Sequence, residues 1–140
     1  MSHDDMRVRW RDSFSVGDAL IDAQHREFFD EVNRVSEALE GGEGREAVIA
    51  FYRVFVAGLD RHFRDEEELL ARIRFPDIDI HRSEHQALMA AVTAVEGLLV
   101  TSQSVHELRF IVKRLFAALV EHLVSEDMRY KSHVLAARGL

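Results

Sequence analysis

Residues 81–99 read His81-Arg-Ser-Glu-His85-Gln-Ala-Leu88-Met-Ala-Ala-Val92-Thr-Ala-Val95-Glu-Gly-Leu-Leu99. Leu88, Val92, Val95 and Leu99 recur at steps of four, three and four, the period of one face of an α-helix. Followed backwards at the same period, that face reaches His85 and then His81. A stripe that should meet a core therefore begins with two imidazoles where leucine is expected. A buried imidazole without a partner costs roughly several kcal/mol, so the pair needs a reason.

The same substitution recurs along the chain. A first helix is expected from Asp18 to Leu39, with the stripe Ile21, His25, Phe28, Val32, Val35 and Leu39. A second is expected from Arg45 to Ile73, with Val48, Phe51 or Tyr52, Phe55, Leu59, His62, Glu66, Leu69 and Ile73. The helix carrying His81 is third and begins near Asp79, a candidate N-cap. A fourth, capped by Ser104 and ending near Tyr130, carries Leu108, Ile111 or Val112, Leu115, Leu119 and His122. Gly41-Gly42-Glu43-Gly44, Phe75-Pro76-Asp77 and Thr101-Ser102-Gln103-Ser104 break the helices apart. No strand pattern appears. Short connections imply an all-α, antiparallel up-down-up-down four-helix bundle over residues 18–131. An irregular N-terminal arm, residues 1–17, carries Trp10 and Phe14, and the tail 132–140 has room for a short C-terminal helix. The whole chain, 1–140, reads as one domain.

Composition narrows the chemistry. The formal net charge of −7 argues against nucleic acid and anionic membranes as partners. No apolar run approaches the roughly 20 residues of a membrane span, and Met1-Ser-His-Asp-Asp-Met-Arg lacks the plan of a signal peptide, so no membrane insertion and a cytoplasmic location are expected. The absence of cysteine excludes thiolate metal sites, disulfides and cysteine nucleophiles. A transition metal must then be held by nitrogen and oxygen, and imidazole suits iron, copper, zinc and nickel.

His25 lies early in its helix, His62 late, His81 and His85 early and His122 late. In a bundle whose neighbouring helices alternate in direction, all five reach the same end. His62/Glu66 and His81/His85 are i, i+4 pairs, each sharing one helical face. One such histidine is more often a hydrogen-bonded core residue than a ligand. Five at one depth would need five separate partners, and a single metal site satisfies them together. Helical spacing makes Glu126, at i+4, the carboxylate partner of His122, whereas Asp127 at i+5 lies about 140° round an ideal helix. Five imidazoles and two carboxylates exceed what one six-coordinate ion uses and suit two ions. If both carboxylates bridge, with a solvent-derived oxide or hydroxide between the ions, the imidazoles divide three and two. One ion is then left a vacant position. His3, His106 and His133 fit no motif and are expected at the surface.

Nearly the whole chain resembles the hemerythrins, their bacterial branch in particular. The residues that carry the resemblance are Trp10, Ile21-Asp-Ala-Gln-His25 followed by Phe28, Phe29 and Asn33, His62-Phe-Arg-Asp-Glu66-Glu, the Pro76 turn, His81-x-x-x-His85, and His122-x-x-x-x-Asp127-x-x-Tyr130. The resemblance implies two iron ions bridged by oxide or hydroxide. It implies His81, His85 and His122 on the six-coordinate iron, His25 and His62 on the five-coordinate one, and Glu66 and Asp127 as bridges. Asp127 thus replaces Glu126, which implies either a distorted helix end or a shorter side chain presented from a shifted turn. Asp65, Glu67, Glu68 and Glu126 become surface charges, with Glu67 a candidate partner for a ligand. Dioxygen would bind end-on at the open iron and leave with both electrons returned. Phe28 and Leu119 are the best candidates for its apolar pocket, with Phe29, Phe63 and Met89 behind them. Where the family often carries tryptophan, four residues before the fourth-helix histidine, this chain has Ala118.

A dioxygen carrier, store or delivery protein is therefore the expected function, without catalysis. The alternatives are an oxygen or redox sensor acting through a signalling partner, a diiron peroxidase or nitric oxide-handling enzyme, and metal storage; an oxygen-using enzyme is the natural recipient for a delivery protein. His81-Arg-Ser-Glu84-His85 also matches the H-x-x-E-H protease signature, but that reading strands His25, His62 and His122. Ferritin-like diiron sites use Glu-x-x-His, which the chain does not contain.

Overall fold

The computed structural model describes residues 7–139. Four long helices form the bundle: α1 (Ala19–Glu40), α2 (Arg45–Arg72), α3 (Ile78–Thr101) and α4 (Arg109–Glu121), with a short α5 (Lys131–Ala137) behind them. Consecutive helices pack side by side in antiparallel order and α4 closes the bundle against α1. His3 falls outside the described residues.

Local chemistry sets the boundaries. Asp18 caps α1, its side chain accepting from the Ile21 N–H at 3.1 Å. Arg74 adopts a left-handed φ of 55°, and the Phe75 N–H reaches back to the Leu70 carbonyl at 2.9 Å; this closes the C-terminus of α2. Two expected caps do not form. α3 starts at Ile78, so Asp79 lies inside its first turn, and Asp77 before it makes no side-chain cap bond. Ser104 precedes a 3-10 turn, Val105–Leu108, without capping it; a tight turn there carries the chain into α4 and satisfies backbone groups that a hydroxyl would otherwise serve.

The ambiguous core positions resolve toward Tyr52 and Val112, while Ile111 points outward. Tyr52 is fully buried because its hydroxyl has a partner, the Val92 carbonyl at 2.6 Å. The N-terminal arm is pinned: the Asn33 side chain pairs with Val8 N and O at 2.9 and 2.8 Å, and Phe14 packs edge-on and Trp10 tilted against Phe29. His106 and His133 are half-buried rather than free at the surface. His106 Nδ1 meets the Leu39 carbonyl at 2.9 Å, and the ring of His133 packs 5.0 Å from that of Phe75.

Apolar burial divides into two clusters. A large one runs from Phe28 through Phe55, Val92 and Phe116 to Leu123, and a smaller one gathers Ile21, Leu70, Phe75, Tyr130 and Val134. On α1 and α2 the polar stripe residues sit between members of the two, and past the end of α4 His122 and Asp127 sit between Leu119 of the large cluster and Tyr130 of the small one. A buried polar layer is thereby sealed on both sides.

Candidate metal centre

The helix end at His122 is where the fold departs most from regular geometry. α4 stops at Glu121, and His122–Glu126 form a π-turn followed by a 3-10 turn, Asp127–Tyr130. The Asp127 N–H donates to the His122 carbonyl, an i to i−5 bond. The wider turn removes the angular offset an α-helix would impose on position i+5 and brings Asp127 to the face of His122. Asp127 is 1% exposed, and its Oδ1 lies 3.1 Å from His122 Nε2.

Six further side chains converge on it. From α1 comes His25, from α2 His62 and Glu66, from α3 His81 and His85, and from the turn itself His122; all are buried. The donor atoms form two sets, each within 4.8 Å. One contains Glu66, His81, His85, His122 and Asp127, the other His25, His62, Glu66 and Asp127. Glu66 and Asp127 belong to both.

Each imidazole turns its Nε2 inward. His81 Nε2 is 2.6 Å from Glu66 Oε1, His25 Nε2 is 3.2 Å from Asp127 Oδ2, and His62 Nε2 is 3.4 Å from Glu66 Oε2. His85 Nε2 lies 2.9 Å from Glu66 Oε1. That contact and the one between His122 Nε2 and Asp127 Oδ1 have angles that make neither a hydrogen bond, so these three atoms are buried, close and unsatisfied. Buried polar atoms are normally paired. A divalent cation held among them would satisfy what no single proton can satisfy at once.

The outer ring atoms fix the tautomers. His62 Nδ1 donates to Gln24 Oε1 at 2.9 Å, and Gln24 Nε2 donates in turn to Asp65 Oδ2 at 2.7 Å. His85 Nδ1 donates to Glu67 Oε2 at 2.8 Å. Each bond places the proton outside and leaves the Nε2 lone pair facing the centre. His122 Nδ1 has a looser contact, 3.4 Å, with Glu84 Oε2. Tyr130, fully buried, donates its hydroxyl to Glu66 Oε2 at 2.9 Å. The partners of His62 and His122 and the donor to Glu66 were not read from the sequence: Gln24 and Tyr130 belong to the motifs that carry the family resemblance, and Glu84 to the protease-like pattern, but none of these motifs names the bond its residue makes. Asp65, expected as a free surface charge, instead anchors Gln24, since the tight packing of α1 on α2 brings the two within reach. Glu67 does take the partner role anticipated for it.

Electrostatics point the same way. Burial opposes charge on His25, yet Asp127 and Glu66 prevail and push its pKa up to about 9. The same opposition takes His81 up to about 10 and raises His122. Burial works against ionisation of Glu66, but His62, His25 and His81 hold its carboxyl well below the usual range. Asp127 is likewise held low by His122, His25 and His81, against burial and the Glu66 charge. Two ionised carboxylates thus sit in a dry layer that demands positive charge.

A cavity of ≈ 10 Å³, about the space for one water-sized molecule, lies against the two-histidine set. Phe28 and Leu119 both line it, together with Phe63; Leu59 and Leu123, which were not anticipated, complete its apolar wall, and His122 of the three-histidine set borders it beside His25, His62 and Asp127. Phe63 also stacks on His85 with ring centroids 3.8 Å apart. Phe29 packs with the arm instead, and Met89 packs against the large cluster.

Among known families, the hemerythrin HHE cation binding domain matches residues 16–134. The chain belongs to the hemerythrin family. A hemerythrin-like protein of Naegleria gruberi is 30% identical over 122 residues, 87% of this chain and 89% of that protein. A bacteriohemerythrin of Ralstonia nicotianae is 29% identical over 83 residues, 59% of this chain and 57% of its own length. Hemerythrin subunit alpha of Lingula anatina is 26% identical over 122 residues, covering 87% and 91%. A crystal structure of a hemerythrin variant superposes with a TM-score of 0.78 at 19% identity, over 91% of this chain and 96% of that one, a likeness of fold. The buried histidine and carboxylate layer lies wholly within the hemerythrin match.

Proposed function

We propose that this hemerythrin-family chain is a diiron protein that binds dioxygen reversibly, for storage or delivery to an oxygen-using enzyme. The observation that carries the reading is the division of donors into two sets that share Glu66 and Asp127, with the apolar cavity beside the set that has only two imidazoles. His81, His85 and His122 would hold one iron, His25 and His62 the other, and both carboxylates would contact each. Five imidazoles with two carboxylates suit iron better than a soft-metal site. When bound, the pair of irons supplies electrons to dioxygen and takes them back.

The chain's own residues do the rest. Gln24 and Glu67 hold His62 and His85 with their lone pairs inward. Tyr130 keeps its proton, since burial and the Glu66 charge raise its pKa well above the usual value, and so remains a hydrogen-bond donor to Glu66. Phe28, Leu59 and Leu119 exclude water from the cavity. An apolar wall with no acid–base side chain beyond the metal-binding set supports binding over turnover. Iron analysis with an anaerobic absorption titration tests the reading. Two irons per chain and a visible band that appears with dioxygen and disappears under vacuum are expected; rapid, irreversible oxidation would refute it.

A further inference from the structure

A second small cavity lies at the seam of α1 and α2. Glu27, Glu31 and Gly58 form its more exposed side and buried Gln24, Phe28, Leu59 and His62 its inner wall; Phe28, Leu59 and His62 also bound the cavity beside the metal-binding residues. Gly58 sits in the interior of α2, where glycine costs helix stability. The reason is visible in space: a Cβ there would lie 2.9 Å from Glu31 Oε2 and 3.0 Å from Oε1. The bare backbone of α2 makes room for a carboxylate. Glu31 is half-buried, and among the described residues no hydrogen bond or ion pair holds its carboxylate. Burial pushes its pKa up to about 7, with Glu27 and Asp30 adding to the rise and Arg61 and Arg34 opposing it. An unpaired, partly desolvated charge is a cost that folding alone does not explain.

Resting on the diiron reading above, we propose that the Glu31–Gly58 seam is the entrance to the metal centre and filters ligands by charge, admitting neutral diatomic molecules and holding back small anions. The seam shares three wall residues, Phe28, Leu59 and His62, with the inner cavity, whereas the groove beside Glu84 and Ala118 shares only His122 with it. Its ionisable lining is carboxylate, from Glu27 and Glu31; Arg61 lies 4.0 Å from Glu27, which leaves Glu31 as the rim charge without an ion-pair partner among the described residues. An approaching anion meets like charge at the rim and then an apolar barrier of Phe28 and Leu59; a neutral diatomic molecule meets neither penalty.

The test is stopped-flow association in the iron-loaded protein, with azide on the diferric form and nitric oxide on the diferrous form. Glu31→Gln is expected to raise the azide rate about three- to tenfold and to change the nitric oxide rate by less than about twofold. Gly58→Leu, which fills the seam, is expected to slow both ligands. The metal-free protein gives an independent readout: Glu31→Gln should raise the unfolding temperature near about pH 8, where Glu31 is ionised, and not near about pH 5, where it is protonated. Azide rates that are the same in wild type and Glu31→Gln, or both ligand rates unchanged in Gly58→Leu, overturn the entrance while leaving the diiron site standing. A chain that takes up no iron overturns both readings.

Discussion

Two fully buried tyrosines allow the polarity of the central layer to be weighed. Tyr130 donates to the Glu66 carboxylate at 2.9 Å, and Tyr52 donates to the neutral Val92 carbonyl at 2.6 Å. Both side chains have zero exposure, so Tyr→Phe deletes the same atom from equally dry surroundings. A hydrogen bond to a charged acceptor contributes about 1.5–3 kcal/mol and one to a neutral acceptor about 1 kcal/mol. Tyr130→Phe should therefore cost the metal-free protein about 2 kcal/mol and Tyr52→Phe about half that. At about 2.1 cal/mol/K of unfolding entropy per residue, a chain of 140 residues loses about 7 °C and about 3 °C of unfolding temperature respectively. In the metal-loaded protein the Glu66 charge is shared with cations, its demand for a donor falls, and the gap between the variants should narrow. Calorimetry of both variants, with and without iron, measures all four values. If Tyr130→Phe costs no more than Tyr52→Phe without metal, Glu66 is not a charged acceptor, and the account of the layer as two ionised carboxylates is wrong.

Other expectations follow from the same geometry. His62→Ala should lower the metal content from two to one per chain, whereas Glu66→Ala, which removes a donor from both sets, should abolish uptake of both; plasma emission against protein concentration reads the ratio. The metal-free protein should be most stable between the ordinary carboxylate and imidazole pKa values, 4.5 and 6.5. Raised imidazole pKa values give stability that is complete below pH 6.5 and fades as pH rises through about 9 to 10, and the depressed carboxylates give stability that fades as pH falls below 4.5. Chemical denaturation across pH checks the shape, and a maximum at alkaline pH would contradict it. Arg74→Gly should stabilise the chain by about 0.5–1 kcal/mol, because glycine adopts the left-handed conformation of residue 74 without strain; an unchanged denaturation midpoint would contradict that.

How much of this was legible in the sequence depends on what each residue's position obeys. His25, His62, Glu66, His81, His85 and His122 lie on regular helix, where 3.6 residues per turn maps sequence onto a face, and all six were placed by counting. The outer partners obey tertiary distance instead. Gln24 meets His62, and Asp65 meets Gln24, only because α1 and α2 pack at a particular register; neither spacing within one helix nor composition encodes that. Asp79 and Ser104 look like caps locally, yet the first is absorbed into α3 and the second is bypassed by a 3-10 turn.

Asp127 is the instructive case. Periodicity selects Glu126, and it does so correctly for an α-helix; only a family resemblance pointed to Asp127. The structure explains the discrepancy by changing the helix rather than the residue, since the π-turn at His122–Glu126 shifts i+5 onto the inward face. Such a turn forfeits regular α hydrogen bonding and is uncommon, so it persists where something compensates. Here the compensation is local and visible: Asp127 gains three imidazoles within 3.2 Å, and the following 3-10 turn delivers Tyr130 to Glu66. Removing Ser125 would convert the π-turn to plain α-helix while keeping Asp127 on the inward face at i+4. If the π geometry exists only to aim Asp127, that deletion should preserve two metals per chain. Tyr130 follows Asp127 by the same three residues with or without Ser125, so the Tyr130–Glu66 bond should also survive and the metal-free protein should keep the roughly 7 °C of unfolding temperature assigned to it. Loss of metal together with an unchanged unfolding temperature would show that the turn's role lies in neither residue.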